Sequence, residues 1–336
     1  MGTITHLNER QRAAPIRITT EEEALSVATE LAISLSGVQN GALSEALSRS
    51  GLLAVSIPSD FGGADVSNVV LSQIAAVLAQ HTPLAASMLT LHLSSLELLH
   101  NGGTEEQRRA AFARAGAGER FCLVQSGEVL QLLPDGIGYA LSGEVECLCM
   151  PQAEWLVINR RSPTDDTALL IPAIPGRTIE RSSNAGPARI LFESEHVHSD
   201  SVLALGRDAV RLSSALNRLL RASITLGETE RSIAEFSRQP QWNRESVIVD
   251  ADRESAIGQL LVQTTTLSAL THKCGTAFDI AQVNPSSQTI GEACRQASIL
   301  EFVAARGTVG DRQIEALDEI LAIGRSYLAD RSGGSA

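Results

Sequence analysis

Apolar residues recur at three- and four-residue steps from Thr20 to Gln80. Ala24, Leu25, Ala28, Leu31, Ala32 and Leu35 form one stripe, and Val69, Val70, Ile74, Val77 and Leu78 form another. That spacing predicts amphipathic helices. Thr20 followed by Glu23 has the capping-box pattern for the first helix, Leu84 to His100 reads as a further apolar helix, and Thr104 with Gln107 caps the next. Residues 1–120 therefore predict an N-terminal helical domain. Within it, Gly51 is placed to end a helix, Pro58 stops a short apolar run, and Gly62-Gly63 supplies backbone angles closed to other residues.

The pattern changes at Phe121. Short runs (Phe121–Val124, Tyr139–Leu141, Trp155–Ile158, Ala168–Ile171 and Arg189–Phe192) lie between Gly, Pro, Asp and Ser clusters, as strands of an antiparallel sheet do. Asp135-Gly136 and Ser142-Gly143 supply turn chemistry on either side of Tyr139. A β domain over residues 121–205 follows. From Gly206 long apolar faces return: Val210, Leu212, Leu216, Leu219, Leu220, Ile224 and Leu226, then Ala256–Val283 and Ile290–Ala305. These lengths predict a C-terminal helical bundle over residues 206–330. The fold class is α+β.

Composition narrows the functions on offer. The net charge is −12, from 39 acidic and 27 basic residues, which disfavours nucleic acid as a partner. The start of the chain lacks a cationic stretch followed by an apolar core, and no window holds the ~18 apolar residues of a membrane span, so a soluble, cytoplasmic protein without a membrane partner is expected. Five cysteines fit reduced thiols better than a disulfide framework. Cys147 and Cys149 are the close pair, and buried apolar thiols are favoured there over a metal or redox pair. No dinucleotide, P-loop, Gly-x-Ser-x-Gly or zinc-peptidase motif occurs.

Four segments carry a family resemblance. Ile57-Pro58-Ser59-Asp60-Phe61-Gly62-Gly63, Gly103-Thr104-Glu105-Glu106-Gln107-Arg108, Asp135-Gly136-Ile137-Gly138-Tyr139-Ala140-Leu141-Ser142-Gly143 and Ala153-Glu154-Trp155 follow one another in the order of the acyl-CoA dehydrogenase superfamily. The chain resembles most the branch of flavin-dependent sulfone and dibenzothiophene monooxygenases. The resemblance implies an acyl-CoA dehydrogenase-like fold: an N-terminal helical domain, a central antiparallel β domain and a C-terminal helical bundle. It implies a flavin cofactor, FAD or FMN, and a small-molecule or acyl-CoA-like substrate. It also implies a homo-oligomer, or a hetero-oligomer with a homologue; the bundle after Gly206, whose helices are apolar over more surface than one packing layer buries, is expected to carry the interface.

The resemblance assigns candidate site residues one by one. His92 corresponds to a histidine on the substrate side of the pocket and is the candidate catalytic group, the alternative being a helix histidine satisfied by a backbone carbonyl. Ser126, in Val124-Gln125-Ser126-Gly127, stands at the strand that meets the flavin, keeping a serine and lacking the acid after it. Cys149 lies in the strand end that faces the flavin ring, where Cys147-Leu148-Cys149-Met150-Pro151 replaces a Thr/Ser segment. Trp155 is the third cofactor candidate, with plain core packing as its alternative. Val145 stands in place of a lysine, and Ser183–Ala188 keeps none of the polar side chains of the branch's Gly-Gln-Arg loop.

Other groups yield less. His196-Val197-His198 puts two imidazoles on one strand face but names no further ligands, so a solvated loop is expected and no metal. Glu315, Asp318 and Glu319 read as the wet face of a last helix, and no motif receives the family's catalytic glutamate. Two functions from different classes remain: a flavin-dependent oxidoreductase of acyl-CoA dehydrogenase or monooxygenase type, and a non-catalytic subunit, its flavin lost, that assembles with an active homologue.

Overall fold

A hydroxyl opens the first helix. In a computed structural model of the chain, residues 14–37, 40–126, 130–147, 153–160, 167–173, 179–181, 188–238 and 247–306 are described. Helix α1 (Glu21–Ser34) is followed by α2 (Asn40–Arg49), α3 (Asn68–His81), α4 (Pro83–Gly102) and α5 (Glu105–Gly116). Thr20 caps α1 by accepting from the Glu23 N–H. The reciprocal half of the expected capping box does not form there. The Glu23 carboxylate accepts instead from the N–H and hydroxyl of Thr19, each at 2.8 Å. At α5 both halves of the box close between Thr104 and Gln107. Gln107 also donates to the Asp200 carbonyl at 2.7 Å, joining this cap to the β region.

Between α2 and α3 the chain makes two 3₁₀ turns, Leu52–Ala54 and Ser59–Phe61, that keep Leu52, Leu53, Val55 and Ile57 buried. The glycine corner then follows from space. Gly62 has φ +82°, and a Cβ on Gly63 would fall 2.0 Å from the Ile57 carbonyl oxygen.

Among the described residues the β region holds β1 (Phe121–Ser126), β2 (Gln131–Asp135), β3 (Gly138–Cys147), β4 (Trp155–Arg160), β5 (Thr167–Pro172), β6 (Ile179–Arg181), β7 (Ala188–His198) and β8 (Val202–Ala204). They make two sheets, ordered β1-β4-β5-β8 and β2-β3-β7-β6. One expectation is corrected: β1 and β4 are parallel, with Phe121 opposite Trp155 and Ser126 opposite Arg160. The β2–β3 hairpin lies between them in sequence but belongs to the other sheet, so the chain crosses over and returns in its original direction. The remaining pairs are antiparallel.

A second correction concerns Ser142-Gly143, which lies inside β3 and makes no turn. There the register passes from Leu141 opposite Glu195 to Gly143 opposite Phe192, so β7 carries one extra residue. Ser194 takes φ +53° and donates its N–H to Ser142 Oγ at 3.1 Å, a β-bulge. Strand alternation sorts the two faces of the first sheet. Cys122, Val124, Leu156 and Ile158 are buried in one core with Leu141, Val145, Cys147 and Ile190 of the second sheet. Phe121, Leu123 and Val157 join another core with Leu98, Leu99 and Phe112 of α4 and α5.

The chain ends its described part in α6 (Arg207–Arg238), α7 (Val247–Val283) and α8 (Ser287–Arg306). Gly227 lets α6 lie against α3, since a Cβ there would be 2.1 Å from the Ala76 carbonyl oxygen. Ser213 donates to the Ser94 carbonyl of α4, and Arg218 pairs with Glu301 of α8 at 3.0 Å. No helix of the described residues is long and apolar enough to cross a membrane. Glu315, Asp318 and Glu319 lie outside the described residues.

Candidate functional site

Three elements meet at His92. It lies on the buried face of α4, 1% exposed, where the helix packs on the start of β1. Its Nδ1 accepts the Phe121 N–H at 3.0 Å, which places the ring proton on Nε2, and Nε2 donates to the Leu53 carbonyl at 2.8 Å. Burial pulls its pKa from 6.5 to about 4, opposed by the bond to Leu53 and assisted by the Arg120 charge. A neutral imidazole with both nitrogens taken by backbone ties α4, the first 3₁₀ turn and β1 together. It holds no spare proton for a substrate.

The neighbouring residues continue this junction. Arg120 pairs with Glu154, donates from its backbone N–H to Glu154 Oε2 at 2.8 Å, and reaches the Ser44 carbonyl and Ser48 hydroxyl of α2. Trp155 is held in the same way. Its Nε1 donates to Glu119 at 2.5 Å, Arg114 sits 4.1 Å above its ring, and Phe121 stacks beside it with centroids 6.3 Å apart. The Ala153-Glu154-Trp155 motif therefore anchors β4 to α2, α5 and β1.

Ser126 stands at the other end of the same strand pair. It is opposite Arg160, five residues from the Phe121–Trp155 step, or about 16 Å at strand rise. His92 and Trp155 are thus together at one end and Ser126 is at the other. Arg160, which sequence reasoning did not single out, donates from Nε to the Leu130 carbonyl at 3.1 Å. β1 borders its sheet, and since the Phe121 N–H points away from β4, alternation turns the backbone groups of Leu123 and Gln125 to that same outer edge. β3 ends at Cys147, whose Sγ lies 3.3 Å from Cys122 Sγ. Cys149 and the Ser183–Ala188 loop, except for the backbone of Ala188, lie outside the described residues.

Two further sites need placing. His196 and His198 lie on β7, a strand where a loop was expected, with their rings edge to face at 5.1 Å and His196 3.9 Å from Asp135. Among the described residues no group of three or more His, Cys, Asp or Glu is placed to hold a metal. At the far end of α4, buried Glu97 accepts from Asn101 Nδ2 at 2.8 Å and Gln282 Nε2 at 2.9 Å, and burial raises its carboxyl from 4.5 to about 7 despite both bonds. A cleft of about 310 Å³ opens between α3, α6 and α7, with Gln80 bonded to Glu230 at its edge. Neither His92 nor Trp155 lines it.

Comparison with known proteins agrees with this architecture. Residues 9–119 match the family model "Acyl-CoA dehydrogenase, N-terminal domain". No curated protein sequence matches the chain. Among solved structures, TdsC from Paenibacillus sp. A11-2, in complex with FMN and indole, is 20% identical, with a TM-score of 0.70 over 92% of this chain and 90% of that one. Methanesulfinate monooxygenase MsuC from Pseudomonas fluorescens is 19% identical, with a TM-score of 0.70 over 91% and 86%. XiaF from Streptomyces sp., in complex with FADH2 and glycerol, is 16% identical, with a TM-score of 0.67 over 85% and 84%. The chain has an acyl-CoA dehydrogenase-like fold.

Proposed function

We propose that the chain is a flavin-dependent oxidoreductase of acyl-CoA dehydrogenase or monooxygenase type that binds its flavin weakly and exchanges it with solution. The observation that carries this reading is the likeness in fold over 92% of the chain to a protein in complex with FMN and indole. The outer edge of β1 fits a flavin ring edge in kind, because it offers alternating backbone donors and acceptors at Leu123 and Gln125. Ser126 and Arg160, opposite one another at the strand ends, would hold the ring edge and the anionic part of the cofactor. When bound, the flavin supplies the redox chemistry. The protein positions the substrate and excludes water. His92 acts as a positioning residue, fixing β1 through Phe121.

Weak retention follows from what the sequence has given up. By the resemblance, Val145 stands where the family has a lysine and Gly127 where it has an acid, and the Ser183–Ala188 loop keeps none of the polar side chains of the family's Gly-Gln-Arg loop. Each lost hydrogen bond of this kind costs about 1.5–3 kcal/mol, so three losses weaken binding by roughly three orders of magnitude or more. An absorbance spectrum of the protein mixed with flavin and passed through a desalting column tests this. Flavin bands that leave with the small molecules are expected; bands that stay with the protein contradict weak retention.

A second reading, a flavin-free subunit that assembles with an active homologue, is favoured by the engagement of both His92 nitrogens by backbone. It differs in its outcome: no flavin bound at any concentration, and a stable complex with a second, related chain.

A further inference from the structure

Cys122 and Cys147 lie 25 residues apart in the chain and on strands of different sheets, yet their sulfurs are 3.3 Å apart. A disulfide bond needs about 2.05 Å, so closing the gap takes a shift of about 1.3 Å, within reach of small side-chain rotations. Both thiols are buried, 2% and 3% exposed, and no backbone ladder joins β1 to β3. Cys122 also borders a cavity of about 10 Å³ shared with Arg120, Met88 and Ala153, room for about one molecule the size of water.

We propose that Cys122 and Cys147 form an oxidant-driven, reversible disulfide that staples the two sheets of the β region together. The oxidant is a small hydroperoxide, hydrogen peroxide in the simplest case. When the side chains around the cavity part to admit the peroxide, Cys122 attacks one peroxide oxygen; the O–O bond breaks, Cys122 becomes a sulfenic acid, and one water leaves with the thiol proton. The Cys147 sulfur then attacks the Cys122 sulfur; the S–O bond breaks, the S–S bond forms, and a second water leaves with the second thiol proton. In all, two thiols are oxidised by two electrons and one peroxide is reduced to two waters. A dithiol reductant reverses the change. The inference is independent of flavin binding.

The test is peptide mapping of the purified full chain after hydrogen peroxide treatment and alkylation. A peptide pair linked through Cys122 and Cys147, absent before treatment and abolished by dithiothreitol, is expected, together with two fewer titratable thiols than the five of the untreated chain. In Cys147→Ala the resolving thiol is missing, and a dimedone adduct on Cys122 is expected. Oxidation should raise the unfolding temperature of the wild type and leave that of Cys147→Ala unraised. Recovery of both peptides singly alkylated, or a link from either residue to Cys149, would overturn the proposal whether or not the variant folds.

Discussion

His92 Nδ1 receives the backbone N–H of Phe121 at 3.0 Å, so a side chain in the middle of α4 supplies the hydrogen bond that the first residue of β1 does not find in its own sheet. Its other nitrogen satisfies the Leu53 carbonyl. Replacing His92 by alanine orphans both groups. At about 1–3 kcal/mol for each buried orphan, His92→Ala should lose roughly 2–6 kcal/mol of stability, read from urea unfolding. A loss below 1 kcal/mol would show that the bridge is not what holds β1.

The pH dependence of stability should carry two opposed contributions. His92 has its pKa depressed in the folded state, from 6.5 to about 4, so its contribution is whole above pH 6.5 and is lost as pH falls toward 4. Glu97 has its pKa raised, from 4.5 to about 7, so its contribution is whole below pH 4.5 and is lost as pH rises to 7. Each amounts to about 3 kcal/mol at its full extent. Between pH 4.5 and 6.5 the two slopes oppose, and Glu97→Gln removes one of them. Unfolding free energies of Glu97→Gln should therefore climb across that window more steeply than those of the wild type; equal slopes would refute the assignment.

Gly227→Ala sets two magnitudes against each other. Alanine improves helix propensity by about 1 kcal/mol, but its Cβ would meet the Ala76 carbonyl oxygen at 2.1 Å, and α6 must move off α3 to admit it. Overpacking of this kind costs about 1–3 kcal/mol, so a net lowering of the melting temperature is expected. A rise would show that the helices separate at no cost.

Trp155 and Ser126 stand at opposite ends of the β1–β4 pair. Trp155→Phe breaks the bond to Glu119 and weakens the contact with Arg114, so it should lower stability by about 1–2 kcal/mol. Flavin affinity should not change. A parallel fall in affinity, measured by fluorescence titration, would bring the indole back to the cofactor.

What the sequence made legible was local. The Thr104–Gln107 box and the Asp135-Gly136 hairpin are written in adjacent residues, and both form. β2 left no trace because most of its residues are exposed, so it has no apolar face to alternate. The parallel pairing of β1 with β4 depends on which sheet the intervening hairpin joins, a matter of distant contacts. The same holds for the candidate site: alignment by motif put His92 near chemistry, but its two partners, Leu53 and Phe121, are 39 and 29 residues away and leave no local pattern. Arg160 went unnoticed for the same reason, since only strand register sets it opposite Ser126.

The central claim is a flavin site at the Ser126–Arg160 end of β1 and β4, and calorimetric titration of the purified chain with FMN and FAD tests it most directly. One flavin per chain is expected, with a dissociation constant weaker than about 1 μM, raised roughly tenfold by Arg160→Ala and unaltered by Trp155→Phe. No heat from either flavin at high concentration, or equal affinity in the wild type and Arg160→Ala, would contradict it.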